Sequence, residues 1–302
     1  MQKIDKPEQY NELMHKVKQK CGRGVSNVYF MADEIERYIA QGRLYVEKLE
    51  SGCVFYVDEH THYNIAVYAA DNTIAPIPAR DKKCVFRYVY RRKDVDTAEQ
   101  KFSGILSANG FRKAATSVEV RIATEDNVEN GKKVEKWVRK MEKQGFSCVC
   151  AKETQFQKID EIIRASGVIK DYQIAYRTPD EKRALEKGSY LCILDTEGDI
   201  CAVSFCAIVN GITTGGILVV KEEYKMRGLV PMFTYYRSRW LEKYHVTCSQ
   251  GWIETDNMPS IRLHKSLGYE FRDRYADEWI LDALQQQKEE YPGGKTGELG
   301  KI

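Results

Sequence analysis

The stretch Gly215-Gly216-Ile217-Leu218-Val219-Val220-Lys221-Glu222-Glu223-Tyr224-Lys225-Met226-Arg227-Gly228-Leu229-Val230 decides how the rest of the chain is read. An apolar strand runs into a short polar loop holding Lys, Arg and Gly, and that loop opens into a long amphipathic helix. Past Gly228, the residues Leu229, Phe233, Tyr236 and Trp240 recur at the spacing of one face of a 3.6-residue period. Arg237, Arg239 and Lys243 are assigned to the other face. A basic glycine loop between a strand and a helix N-terminus presents unpaired backbone N–H groups and the positive end of the helix dipole. Lys225 and Arg227 add formal charge to it. The guest that suits such a loop is a phosphate or pyrophosphate.

Working outward, 302 residues make one large or two medium domains, enough for a real core. With 30% charged and 43% apolar residues the chain is globular rather than disordered. The 47 basic and 44 acidic residues leave a net charge of +3, which argues against a nucleic-acid binder and its concentrated basic excess. The start, Met1 to Lys6, lacks an apolar core, and no run of about 18 apolar residues occurs, so no membrane partner and a cytoplasmic location are expected. Nine cysteines include no CxxC pair. Cys53, Cys192, Cys201 and Cys206 fall in expected strands, and Cys148 and Cys150 have no histidine near them. They read as reduced, small apolar side chains, with no metal site.

Along the chain, helices are expected at 8–20 and from about Asn27 to Ala40, then strands at 44–49, 53–57, 63–69 and 84–90. A helix at 97–108 ends at Asn109-Gly110, and strands run from Phe111 to Ile122. The polar run Thr124 to Gly131 reads as a linker, dividing the chain into domains 1–128 and 129–302, with a flexible tail from about 285. The second half offers a helix at 132–143, a strand at 146–151 and a helix at 154–165. Thr178-Pro179-Asp180-Glu181 opens a further helix with a capping box and closes it at Gly188. Strands at 190–194 and 200–208 lead through the Asn210-Gly211 turn into the central strand. After the long helix come a strand to Glu254, a helix from Asn257 to Leu267, and strands at 269–272 and 278–281. The halves echo each other: Asp33-Glu34 and Asp180-Glu181 open helices, and Gly110-Phe111 and Gly268-Tyr269 begin closing strands. In the first copy a long strand passes from Tyr90 through Arg91-Arg92-Lys93 without a glycine, so that copy has lost the anion cradle.

The slot Lys225-Met226-Arg227-Gly228-Leu229-Val230 resembles the Arg/Gln-x-x-Gly-x-Gly/Ala loop of the GNAT superfamily of acyl-CoA-dependent N-acetyltransferases. It departs in having Lys225 for Arg or Gln and the β-branched Val230 for a small residue. A second block, Ile253 to Tyr269, is similar to the family pattern Val-x-x-x-Asn-x-x-Ala-x-x-Leu-Tyr-x-x-x-Gly-Phe. Asn257 falls on its Asn, Ser260 on its small residue, His264 on its Tyr, and Gly268-Tyr269 on Gly-Phe. The two blocks cover roughly residues 146–282. The resemblance implies an α/β (α+β) fold of two GNAT-like domains, each a mixed, mostly antiparallel sheet flanked by helices, with a degenerate N-terminal copy.

It also implies acetyl-CoA as cofactor, held by Leu218, Val219, Val220, Lys225, Met226, Arg227, Gly228, Leu229, Val230, Asn257 and Ser260. Backbone N–H groups near Leu218 and Val219 would polarise the thioester carbonyl, for which a bulge at Gly215-Gly216 would suit. His264 is the candidate acid for the departing thiolate, with Tyr235 and Tyr236 as substitutes, and Glu254 the candidate base. Asn257 is also a helix N-cap candidate. The implied activity is acetyl transfer to the amine of a small or amino-acid-like substrate, with a homodimer possible. The competing readings are a Fem-type aminoacyl transferase using aminoacyl-tRNA and a non-catalytic acyl-CoA-binding module.

Overall fold

The computed structural model describes residues 1–21, 25–27, 30–50, 52–70, 77, 80–167, 170 and 188–283. The strands of the first half are β1 (Gln2–Lys3), β2 (Val25–Ser26), β3 (Leu44–Leu49), β4 (Gly52–Asp58), β5 (His62–Ala69), β6 (Lys83–Tyr90) and β7 (Arg112–Ala123). Those of the second are β8 (Ser147–Cys150), β9 (Tyr190–Leu194), β10 (Ile200–Val209), β11 (Ile212–Val220), β12 (Cys248–Glu254) and β13 (Glu270–Leu281). They pair into one sheet in the order β1-β3-β4-β5-β6-β13-β7-β12-β11-β10-β9-β8, with β2 attached to β5. Two neighbouring pairs are parallel, β5 with β6 and β11 with β12, and the rest are antiparallel. This is the mixed, mostly antiparallel α/β architecture expected from the sequence.

The order β3-β4-β5-β6 matches β9-β10-β11-β12 in strand sense, so the echo between the halves is topological. The closing strands then trade places. β7 pairs with β12 of the second half, β13 pairs with β6 of the first, and the two pair with each other. The exchange is fixed by a carboxylate: Asp277, 0% exposed, accepts from Thr116 Oγ1 at 2.6 Å and from Tyr88 Oη at 3.1 Å. It is also paired with Lys113, whose Nζ lies at 2.9 Å. Burial and the neighbouring Asp277 charge hold both Tyr88 and Tyr90 protonated, the latter pushed up to about 12. A buried carboxylate so fully partnered ties β6, β7 and β13 into one register.

The described helices are α1 (Pro7–Cys21), α2 (Ala32–Ala40), α3 (Val95–Ala108), α4 (Thr124–Lys143), α5 (Phe156–Ala165), α6 (Val230–Lys243) and α7 (Met258–Ser266). In the first half α1 and α2 cover one face, over Phe55, Val57 and Tyr68, while Phe102, Ile105 and Leu106 of α3 meet Phe86 and Tyr88 on the other. In the second half Val138 and Met141 of α4 pack with Met232 and Phe233 of α6 on Leu191 and Ile193. Ile159, Ile162 and Ile163 of α5 close the opposite face against Cys192, Val203 and Val219.

Four expectations need correcting. Thr124 to Gly131 is not a linker but the first turns of α4, and the expected boundary at 128/129 falls inside that helix. Its residues are polar because they bond across the fold: Asn127 Nδ2 donates to Ser249 Oγ at 3.1 Å and Asn130 Nδ2 to the Leu267 carbonyl at 2.6 Å. Gly131 lies so close to Ser238 of α6 that a Cβ would sit 2.0 Å from its Oγ. The second helix begins at Ala32 and not near Asn27, because Asn27 is bonded to strands instead. The runs at 269–272 and 278–281 are one strand, β13, irregular in register between Phe271 and Tyr275. Finally, the counterpart of the anion-loop strand is β5, not the run ending at Tyr90. Residues 70–82 join β5 to β6, where 221–247 join β11 to β12, so the first-half connection has 13 residues against 27. The helix opened at Thr178 and the tail from 285 lie outside the described residues.

Candidate functional site

β11 and β12 pair only at Ile212–Cys248 and Thr213–Ser249. Beyond that point they diverge, and the edge of β11 from Thr214 onward turns its main-chain groups into the gap. Opposite the gap, on β10, Phe205 faces Ile217 and Ala207 faces Thr214. Gly215 and Gly216 therefore oppose Cys206 alone, which is the bulge foreseen at this pair of glycines. The splay opens a cavity of about 1280 Å³, lined among others by Gly216 to Val220, Lys221 to Met226, Gly228 to Val230 and Asn257, Ser260 and His264. Leu218 and Val220 turn their side chains towards α4 and α6, and Val219 towards α5.

The first half has the same splay and fills it with its own chain. Asn27 Nδ2 donates to the carbonyls of Ile65 on β5 at 3.1 Å and Arg87 on β6 at 2.9 Å, and its Oδ1 accepts from Val67 N–H at 2.8 Å. Next to it β2 adds to the edge of β5. A strand and an amide thus occupy the gap that stays open between β11 and β12.

At the mouth of the open cleft, residues 221–229 form the basic loop. Tyr224 Oη donates to Asp195, anchoring the loop to the β9–β10 turn. Gly228 has φ +75°, and a Cβ there would lie 2.6 Å from Cζ2 of Trp137, whose Nε1 donates to the Gly228 carbonyl at 2.9 Å. Only glycine satisfies both demands. Leu229 is buried, Val230 begins α6, and no side chain caps that helix. Its first N–H groups face the cleft mouth with the positive end of the dipole behind them. Lys225 pairs with Glu222, Met226 is exposed with φ +64°, and the Arg227 guanidinium lies 5.1 Å from the Tyr224 ring centroid.

α7 forms the far wall. Asn257 Oδ1 accepts from Ser260 N–H at 3.1 Å, so it is the N-cap. His264 Nδ1 lies 2.8 Å from the Ser260 carbonyl. A carbonyl only accepts, so Nδ1 carries a proton and donates it. Burial lowers the His264 pKa, the Ser260 carbonyl opposes this, and the Arg237 charge adds to it. The His264 ring packs edge-on against Tyr269, with ring centroids 4.7 Å apart. Tyr235 and Tyr236 do not serve the cleft. Their hydroxyls bond Glu135 and Glu142 of α4, on the other side of α6.

Glu254 lies at the opposite mouth, 3.0 Å from Lys170 Nζ. Arg87 of β6 reaches this end too, with its guanidinium 5.1 Å from the Trp252 ring centroid and 3.8 Å from Glu278. One residue assigned to the polar face of the long helix belongs to the cleft instead. Arg237 continues the row Val230, Phe233, Thr234 along the cleft wall. The seven-residue step from Val230 to Arg237 was the available signal, but the neighbouring arginine and lysine masked it. Tyr269 was legible only as the closing residue of the second family block, and Arg87 and Trp252 carried no local signal.

Among the described residues no cluster of three His, Cys, Asp or Glu side chains could hold a metal ion, and no helix is long and apolar enough to cross a membrane. The sequence matches no protein-family model and no curated protein. Solved structures of GCN5-related N-acetyltransferases do match the fold. One, from Sphaerobacter thermophilus, is 11% identical, with 93% of this chain and 94% of that chain covered at a TM-score of 0.46. A second, from Kribbella flavida, is 14% identical over 88% and 98% of the two chains, at a TM-score of 0.47. A tandem GNAT protein from the clavulanic acid biosynthesis pathway is 12% identical over 77% and 79%, at a TM-score of 0.48.

Proposed function

We propose that the chain is an acyl-CoA-dependent N-acyltransferase that acts on a small amine. The observation that carries this is the continuity of one slot. An anion-binding helix N-terminus at Gly228–Val230 opens directly onto the unpaired edge of β11, which leads to the bulge at Gly215-Gly216. A ligand with a pyrophosphate at one end, an amide-bearing arm and a thioester at the other matches these three features in that order. Acetyl-CoA is the simplest such donor.

The chemistry follows from the residues lining the slot. Successive N–H groups of a strand point to opposite edges, so one of the Leu218 and Val219 N–H groups, with those at the bulge, is available where negative charge develops on the thioester oxygen, and it is fixed before reaction. The amine nitrogen bonds to the carbonyl carbon, the C–S bond breaks, and the proton lost by the amine ends on the departing sulfur. Glu254, beside Lys170, stands at the mouth where an amine enters and is the candidate to take that proton. Burial favours the neutral form of His264, and its Nδ1 proton is held by the Ser260 carbonyl, so it is poorly suited to deliver a proton. We therefore assign His264 to orienting the donor or an ordered water, and Tyr269 beside it, which also lines the cleft, is the candidate to protonate the thiolate.

The test is thiol release from a panel of acyl-CoA donors, acetyl-CoA included, against pooled amino acids, polyamines and amino sugars. Amine-dependent release that falls in Tyr269→Phe supports the proposal. Tight donor binding with no release on any pool would replace it with the binding-module reading.

A further inference from the structure

Arg237 is a guanidinium in the cleft that has no counter-ion among the described residues. Its terminal nitrogen donates to Ser204 Oγ, a side chain on β10 that is itself 0% exposed. Its Nε is enclosed and has no hydrogen-bond partner. Among the described residues no carboxylate lies within ion-pair distance of it, and the groups around it are neutral: Cys206, His264, Tyr269 and Ser204. Its charge is felt by three of these, lowering the pKa of His264 and opposing the burial that raises those of Cys206 and Tyr269. A cation withdrawn from water is costly unless it is paired. The other arginine of this helix is paired: Arg239 lies 3.5 Å from Glu135.

The position of Arg237 says which part of a ligand would meet it. It is seven residues into the helix from Val230, about 10 Å along the axis from the anion-binding N-terminus, and on the same wall. Arg237 is bonded to Ser204, which faces Leu218 on β11, and the bulge glycines lie two and three residues before Leu218 on that strand, so the guanidinium is beside the place assigned to the thioester. The mouth with Arg87, Trp252, Glu254 and Lys170, where an acceptor would enter, is a separate end of the cavity.

We propose that Arg237 binds a carboxylate carried on the acyl group, so that the donor is a dicarboxylic acyl thioester of the malonyl, succinyl or glutaryl class rather than acetyl-CoA. This rests on the cleft being an acyl-CoA site and narrows its donor. The carboxylate is a spectator: the same C–S bond breaks and the same C–N bond forms. Arg237 and Ser204 hold the far end of the chain while the bulge holds the carbonyl.

The experiment is a calorimetric titration of the full chain with free CoA, acetyl-, butyryl-, malonyl-, succinyl- and glutaryl-CoA. Butyryl-CoA supplies chain length without charge. At least one dicarboxylic thioester is expected to bind tenfold or more tightly than butyryl-CoA. That ratio should fall to about one in Arg237→Met, with CoA itself binding as before. Equal affinities for butyryl-CoA and all three dicarboxylic donors in the unmutated protein would overturn the proposal, whatever the variant does. A carboxylate preference that survives in Arg237→Met would also overturn it. If free CoA fails to bind too, the acyl-CoA reading itself falls, a result distinct from CoA binding without donor preference.

Discussion

The wholly buried carboxylate of Asp277 on β13 lies 2.9 Å from Nζ of Lys113 on β7. The two residues come from opposite halves of the chain and meet where the closing strands trade places. Each half thus completes its sheet with a strand of the other, and the open cleft inherits its floor from both.

Removing Asp277 takes the acceptor from the hydroxyls of Thr116 and Tyr88 and leaves Lys113, 39% exposed, to water. Asp277→Ala is expected to cost about 1–3 kcal/mol, read as a lower urea midpoint. Because β7 and β13 belong to both halves, unfolding should stay a single transition by fluorescence and circular dichroism. Two resolved transitions in the unmutated protein would contradict the shared sheet.

Gly228 should tolerate no side chain. Its φ of +75° and the Trp137 ring, 2.6 Å from where a methyl group would stand, act together. Gly228→Ala should destabilise by about 1–3 kcal/mol and weaken CoA binding by a factor of about ten or more, the worth of one lost anion contact. Adding Trp137→Ala should return part of the thermal stability by removing the clash, but not the part due to the backbone. An unchanged melting temperature and affinity in Gly228→Ala would remove the loop from the account.

His62, buried on β5, has its pKa pushed down to about 4, chiefly by burial, with an Asn64 hydrogen bond opposing. Its unfolded value is 6.5, so between those limits the unfolded chain binds more protons than the folded one. The contribution of neutral His62 is complete above pH 6.5 and is lost as pH falls towards 4, by about 2 kcal/mol at pH 5. His62→Gln should flatten the fall in melting temperature between about pH 7 and pH 5. An equally steep fall in the variant would assign the acid sensitivity elsewhere.

Much of this could be read from residues alone, and what could not has a common cause. The strand, the basic loop and α6 were legible because apolar periodicity, Gly228 and the charges are local signals. Asn257 was legible as a cap because its partner Ser260 is three residues away. The linker at Thr124 to Gly131 was misread because the polarity of Asn127 and Asn130 serves partners on β12 and after α7, more than 120 residues later. Asn27 plugs a gap between strands, bonding residues 38 and 60 positions ahead, which no window of sequence displays. Arg237 looked like a solvated helix face because Arg239 and Lys243 beside it are one.

The measurement that tests the central claim most directly is a titration of acetyl-CoA into the purified chain, reading stoichiometry as well as heat. Among the described residues there is one open splay, between β11 and β12, and one closed by Asn27 and β2. One site per chain is therefore expected, and Gly228→Ala should weaken it by a factor of about ten or more. Two sites per chain, or no binding at all, would contradict the account.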